Sequence, residues 1–179
     1  MPDLHLGLGP SPKPQFLYVS TEHFAQGWHF WDHGAGVPYE VGEPALTGYV
    51  RKVEVVERTR RGESKLKLDL HVHAGPRRYI VEAGLDTHFS RSMLAALARL
   101  QPRHFLRPLV VAVEPGTAEA KVVFGNLYDA ETGVEIRGSD EARQSDPARL
   151  ARRVQAAIED AQADASGVPE SAADGGEAA

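Results

Sequence analysis

Lys65-Leu66-Lys67-Leu68-Asp69-Leu70-His71-Val72-His73 alternates without interruption between polar and aliphatic side chains. Successive side chains of a strand point to opposite faces. Leu66, Leu68, Leu70 and Val72 therefore define a buried face, and Lys65, Lys67, Asp69, His71 and His73 a wet one. The wet row sets two lysines and two histidines against one acid, which makes it the first candidate for a binding surface.

Upstream, residues 47–58 are rich in β-branched side chains and read as a long strand. Its alternation slips near Val53 to Val56, the expected mark of a bulge or bend. Arg60-Arg61-Gly62-Glu63 and Ala74-Gly75-Pro76 are turns, and residues 77–83 a third strand, so a three-stranded meander is expected. Downstream the period changes. Phe89, Met93, Leu97 and Leu100 stand at helical spacing in 86–100, with Asp86 or Thr87 as cap and Pro102 as stop. Residues 109–113 are apolar on both faces and read as a buried strand. Residues 121–128 read as a further strand, and 134–137 as a short return after a turn.

Three meander strands, a helix and two strands is the element order of the OB-fold. The expected architecture is mainly β: a five-stranded Greek-key barrel over residues 45–137, with a helix between strands 3 and 4 and a long, bent first strand. Residues 1–44 are expected to be an appendage. Four prolines and two glycines among the first 14 residues make a leader, and an aromatic segment follows. That segment holds His23, Phe24, Trp28, His29, Phe30, Trp31, His33 and Tyr39, broken by glycines. Most of its large rings are expected to cover one end of the core, leaving one or two to stack on a ligand. Residues 138–163 contain a helix with Asp146 as cap and Pro147 in the first turn. Its narrow stripe of Leu150, Val154, Ile158 and Ala161 packs either on the domain or on another subunit, as in a homo-oligomer. Residues 164–179 read as a disordered acidic tail.

Gly48 in the first strand, the basic hairpin, the amphipathic strand 65–73 and the acidic tail resemble OB-fold single-stranded-DNA-binding proteins of bacteria and phages. The resemblance covers about half of the chain. It implies a non-catalytic, cytoplasmic protein of DNA replication, recombination or repair that uses no cofactor. The chain departs from that pattern in its aromatic N-terminal segment. Its tail also ends Asp174-Gly175-Gly176-Glu177-Ala178-Ala179, without the terminal aromatic residue with which those proteins recruit partners.

The formal net charge of −5 is unevenly spread: −4 over residues 1–44, +6 over 45–128 and −7 over 129–179. A basic middle suits a polyanionic partner. Cations meet phosphates and flat side chains stack on bases. The candidate cations are Arg51, Lys52, Arg58, Arg60, Arg61, Lys65, Lys67, Arg77 and Arg78, and the candidate stacking residues Tyr49, His71, His73, Tyr79, Phe124 and Tyr128. Single-stranded DNA is the expected partner, with RNA as the second option, since no reader of the 2′-hydroxyl is recognisable. Asp69 fits least well in this row unless an arginine such as Arg78 or Arg51 pairs with it.

Two other functional classes compete with this one. A metal enzyme would draw on His23, His29 and His33 with Asp32, or on Asp69, His71 and His73 along one strand face. There is no HExxH motif and no visible pair of catalytic carboxylates, and no metal site is assigned. An assembly module would use the barrel as scaffold. There is no cysteine, hence no disulfide framework or thiol chemistry. No GxxxxGK[ST] or strand-to-helix GxGxxG occurs. No apolar run reaches the roughly 18 residues of a membrane helix, and the start Met1-Pro2-Asp3-Leu4-His5 lacks the regions of a signal peptide. No membrane partner is expected.

Overall fold

The computed structural model describes residues 13–117 and 121–167. Residues 1–12 of the leader and the tail beyond Gly167 lie outside the described residues. Among the described residues, nine strands form one mixed sheet: β1 (Gln15–Val19), β2 (Trp28–Asp32), β3 (Val37–Glu40), β4 (Ala45–Arg60), β5 (Glu63–Ala74), β6 (Arg77–Gly84), β7 (Leu109–Pro115), β8 (Val123–Asp129) and β9 (Glu135–Ile136). Their order is β3-β2-β1-β6-β5-β4-β7-β8-β9. Three helices accompany them: α1 (His88–Leu97), α2 (Asp140–Gln144) and α3 (Pro147–Ala165). A 3-10 turn spans Pro102–Leu106.

The sheet is not the closed five-stranded barrel that the element order suggested. Closure needs the outer edge of β6 to meet β8. That edge is instead taken in parallel by β1, in the register Gln15↔Tyr79 to Tyr18↔Glu82. On the other side, α1 seats against β8. The Ser92 hydroxyl accepts the Gly125 N–H at 3.0 Å, and a Cβ on Gly125 would come within 2.9 Å of the Phe89 ring. One backbone donor of β8 is thus satisfied by a helix rather than by a strand. The sheet stays open and ends at β3 and β9. Residues 15–40 thereby supply three strands of the same sheet that residues 45–137 build.

The inner face carries the core. Val50, Leu68, Leu70, Val72 and Val81 are fully buried beneath Met93, Leu94 and Leu97 of α1 and Val154 and Ile158 of α3. Each such side chain contributes about 1.5–3 kcal/mol by leaving water. Trp28 joins them, its indole N–H donating to the Glu43 carbonyl at 2.8 Å. Helix α1 is capped by the Thr87 hydroxyl, which accepts from the Ser90 N–H, while Asp86 pairs with Arg91. Asp146 caps α3, ahead of Pro147. The stripe of α3 is buried on the domain.

The irregularity in β4 lies between Val50 and Lys52, earlier than the sequence suggests. The backbone groups around it are satisfied by α3. Val53 N–H donates to Gln155 Oε1 at 2.8 Å, and Gln162 Nε2 donates to the Arg51 carbonyl at 2.8 Å. Nearby, β4 and β5 approach so closely at Gly48 that a Cβ would lie 2.5 Å from the His73 carbonyl oxygen, so only glycine fits there.

Candidate functional site

The helices cover the inner face, and the strand period sends the remaining side chains to the outer one. Register places them in rows. Glu54, Asp69, Glu82, Tyr18 and His29 succeed one another across β4, β5, β6, β1 and β2. Lys52, His71, Ile80 and Phe16 form the next row, and Tyr49, His73 and Arg78 the one after. Lys65 stands opposite Arg58, and Lys67 between Val56 and Gly84.

Three carboxylates side by side would repel one another. Cations from β4 lie on them instead. Arg58 Nη2 is 2.5 Å from Asp69 Oδ2, and its Nε is 2.7 Å from Glu82 Oε2. Arg60 Nη2 reaches Glu82 Oε1 at 3.6 Å. Asp69 pairs with Arg58, not with Arg78 or Arg51. Asp69 is 3 % and Glu82 4 % exposed. Burial pushes the Asp69 carboxyl up from its ordinary value against the pull of Arg58, with Glu82 adding to the rise. Asp69 Oδ1 is buried without a hydrogen-bond partner. Glu54 is held below the usual range by its bond from Lys52, with His71 Nε2 adding a contact at 2.8 Å.

The same arginines lie over aromatic rings. Arg58 is 5.4 Å from the centre of Phe16, Arg60 5.5 Å from Tyr18, and Arg51 4.9 Å from Tyr49. At the β1–β2 end the rings continue. His29 meets Tyr18 at 5.7 Å, His23 at 5.0 Å edge-on and Phe24 at 6.2 Å, and His23 meets Trp31 at 5.8 Å. Burial, then the neighbouring His23, lowers the pKa of His29. Burial and Glu82 raise that of Tyr18. Burial, then Arg51 and Arg78, lowers that of His73.

The outer face of β4–β6 thus gathers Tyr49, Lys52, Arg58, Lys65, Lys67, His71, His73 and Arg78. Arg51 sits at the bulge with its guanidinium on Tyr49. Arg60 ends β4, and Arg61 occupies the hairpin turn with φ of 53°. Tyr79 is set apart: it faces a hollow on the inner side with Arg77, Trp28, Phe30 and Leu46. Phe124 packs beside His88 at the start of α1, at 5.5 Å. Tyr128 pairs with Val110 on the β7–β8 part of the sheet. Phe16, Tyr18 and Trp31 were not named as site residues by sequence reasoning. For Phe16 and Tyr18 the local signal was the alternation Phe16-Leu17-Tyr18, with Leu17 buried; Trp31 lies in the aromatic segment from which one or two rings were expected to stack on a ligand.

Among the described residues, no group of three or more His, Asp or Glu side chains is arranged to hold a metal ion. Asp32 Oδ1 instead accepts the N–H groups of Gly34 and Ala35 in the β2–β3 turn, which lowers its pKa. Likewise, no described helix is long and apolar enough to cross a membrane. Comparison with known proteins yields no family model, no curated protein and no solved structure that matches the chain.

Proposed function

We propose that the protein binds single-stranded nucleic acid, DNA ahead of RNA, across the outer face of β4, β5 and β6. The observation that carries this reading is the alternation of guanidinium groups and aromatic rings on a sheet face that the helices leave open: Arg51 on Tyr49, Arg58 on Phe16 and Arg60 on Tyr18. Unpaired bases offer flat faces to such rings, and their phosphates meet the cations beside them. Duplex DNA hides those faces in its stack.

The ion pairs bear on strength. Arg58, Arg60, Lys52 and Lys65 already face carboxylates of the same chain. Among the described residues Arg51, Arg61, Lys67 and Arg77 make no salt bridge. Arg77 lies on the inner side, so about three phosphates are neutralised on this face and the logarithm of affinity falls against the logarithm of salt with a slope of about −2. Fluorescence polarisation with an unstructured single strand and a duplex over a salt series tests this. Single-strand preference with that slope supports the reading. Absence of single-strand binding at low salt overturns it.

A further inference from the structure

We infer that the nucleic-acid track does not end at β6 but runs over β1 onto β2, where Tyr18, His23, His29 and Trp31 form a stacking subsite for an unpaired base. This inference rests on the function proposed above. It arises from the parallel pairing of β1 with β6, which places Tyr18 next to Glu82 and hence beside Arg60. From β4 to β2 the outer face spans four strand spacings, about 19 Å.

Four rings at one end of an open face form a hydrophobic cluster, and three features point to a base as its occupant. First, a cation flanks the cluster. The Arg60 guanidinium lies on Tyr18 with 64 % of its side chain exposed, where the phosphate next to a stacked base would run. Second, its central ring is neutral in character. His29 is 5 % exposed with a lowered pKa, so it serves as a flat wall rather than a counter-ion. Third, His29 Nδ1 is buried with no hydrogen-bond partner. An unpaired buried polar atom is costly unless something satisfies it, and a base edge carries N–H and carbonyl groups able to do so. His23 is exposed and Trp31 half-buried, which leaves this end of the cluster open to solvent.

The two tryptophans make the test direct. Trp28 is 1 % exposed, faces the core and has its indole N–H committed to Glu43, so it is silent to a ligand on the outer face. Trp31 is the reporter. Titration of the full chain with oligothymidylate, read by tryptophan emission and in parallel by polarisation of a labelled oligonucleotide, is expected to give saturable quenching. The quenching persists in Trp28→Phe and disappears in Trp31→Phe. Trp31→Ala is expected to weaken binding about fivefold or more, the effect of losing one base stack. His23→Ala, at an exposed position, weakens it in the same direction without disturbing the core. Duplex DNA should leave Trp31 emission unchanged. Binding seen by polarisation with Trp31 emission unmoved, and affinity intact in Trp31→Ala and His23→Ala, overturns the subsite while leaving the proposed function standing. No binding by wild-type protein overturns both. Trp31 emission that varies with protein concentration alone assigns the cluster to contact between copies of the chain and overturns the subsite.

Discussion

The two faces of β5 alternate along residues 65–73 and reach burial by opposite means. Inward, Leu68, Leu70 and Val72 are 0 % exposed through packing alone. Outward, Asp69 is almost as deeply buried, but under Arg58 and beside Glu82. The inner face is closed: its atoms have apolar neighbours and gain nothing from a ligand. The outer face is held by ion pairs, and such groups can exchange a carboxylate for a phosphate. The contrast separates residues that hold the fold from those available for binding.

Substitution of the inner row should have the largest effect. Leu70→Ala removes packing from a fully buried site and is expected to cost about 2–5 kcal/mol in chemical denaturation. Arg58→Ala strips the cation from two buried carboxylates. Because its side chain is 32 % exposed, water softens the loss, and about 1–3 kcal/mol is expected. A value near zero would mean that the outer face is not held by these pairs. Lys65→Glu with Lys67→Glu should change the unfolding midpoint little, since Lys65 is exposed and Lys67 half-buried with no salt bridge to lose among the described residues. It should weaken single-strand binding several-fold and make the salt slope shallower by about 0.7, the share of Lys67, since Lys65 already faces Glu63. Unaltered affinity would move the interface away from this strand.

A smaller effect separates the faces by pH. His29 and His73 have folded pKa values below the ordinary 6.5. Below that value the unfolded chain takes up protons that the folded chain refuses. Stability is therefore full at higher pH and falls as pH drops from about 6.5 through the folded values. Thermal unfolding between about pH 7.5 and about pH 5.5 should show this decline in wild-type protein, and a shallower one in His29→Asn. An unchanged slope in the variant would remove His29 from the account.

Much of the inner face was legible in the sequence because it depends on period. The alternation of 65–73, the stripe of α1 and the stripe of α3 all carry their own signal, although Leu66, expected on the buried face, is 51 % exposed near the start of β5. The outer face was legible only as a row of residue types. Its partners were not, because Arg58 reaches Asp69 and Glu82 from neighbouring strands through the curl of the sheet, and no local pattern encodes that diagonal. The open topology was hidden for a related reason. β1 is five residues long and pairs with β6 more than 60 positions away, so local sequence cannot identify its neighbour. The bulge was misplaced because its backbone is satisfied by Gln155 and Gln162, about a hundred positions downstream.

The central claim is that the outer face of β4–β6 receives the single strand. Chemical-shift mapping of the isotope-labelled protein with an oligothymidylate tests it most directly. The account predicts that perturbations concentrate at Tyr49, Lys67, His71 and His73, with the inner residues Leu68, Leu70 and Val72 and the helices α1 and α3 little changed. Perturbations concentrated on the helices, or none at saturating oligonucleotide, would contradict it.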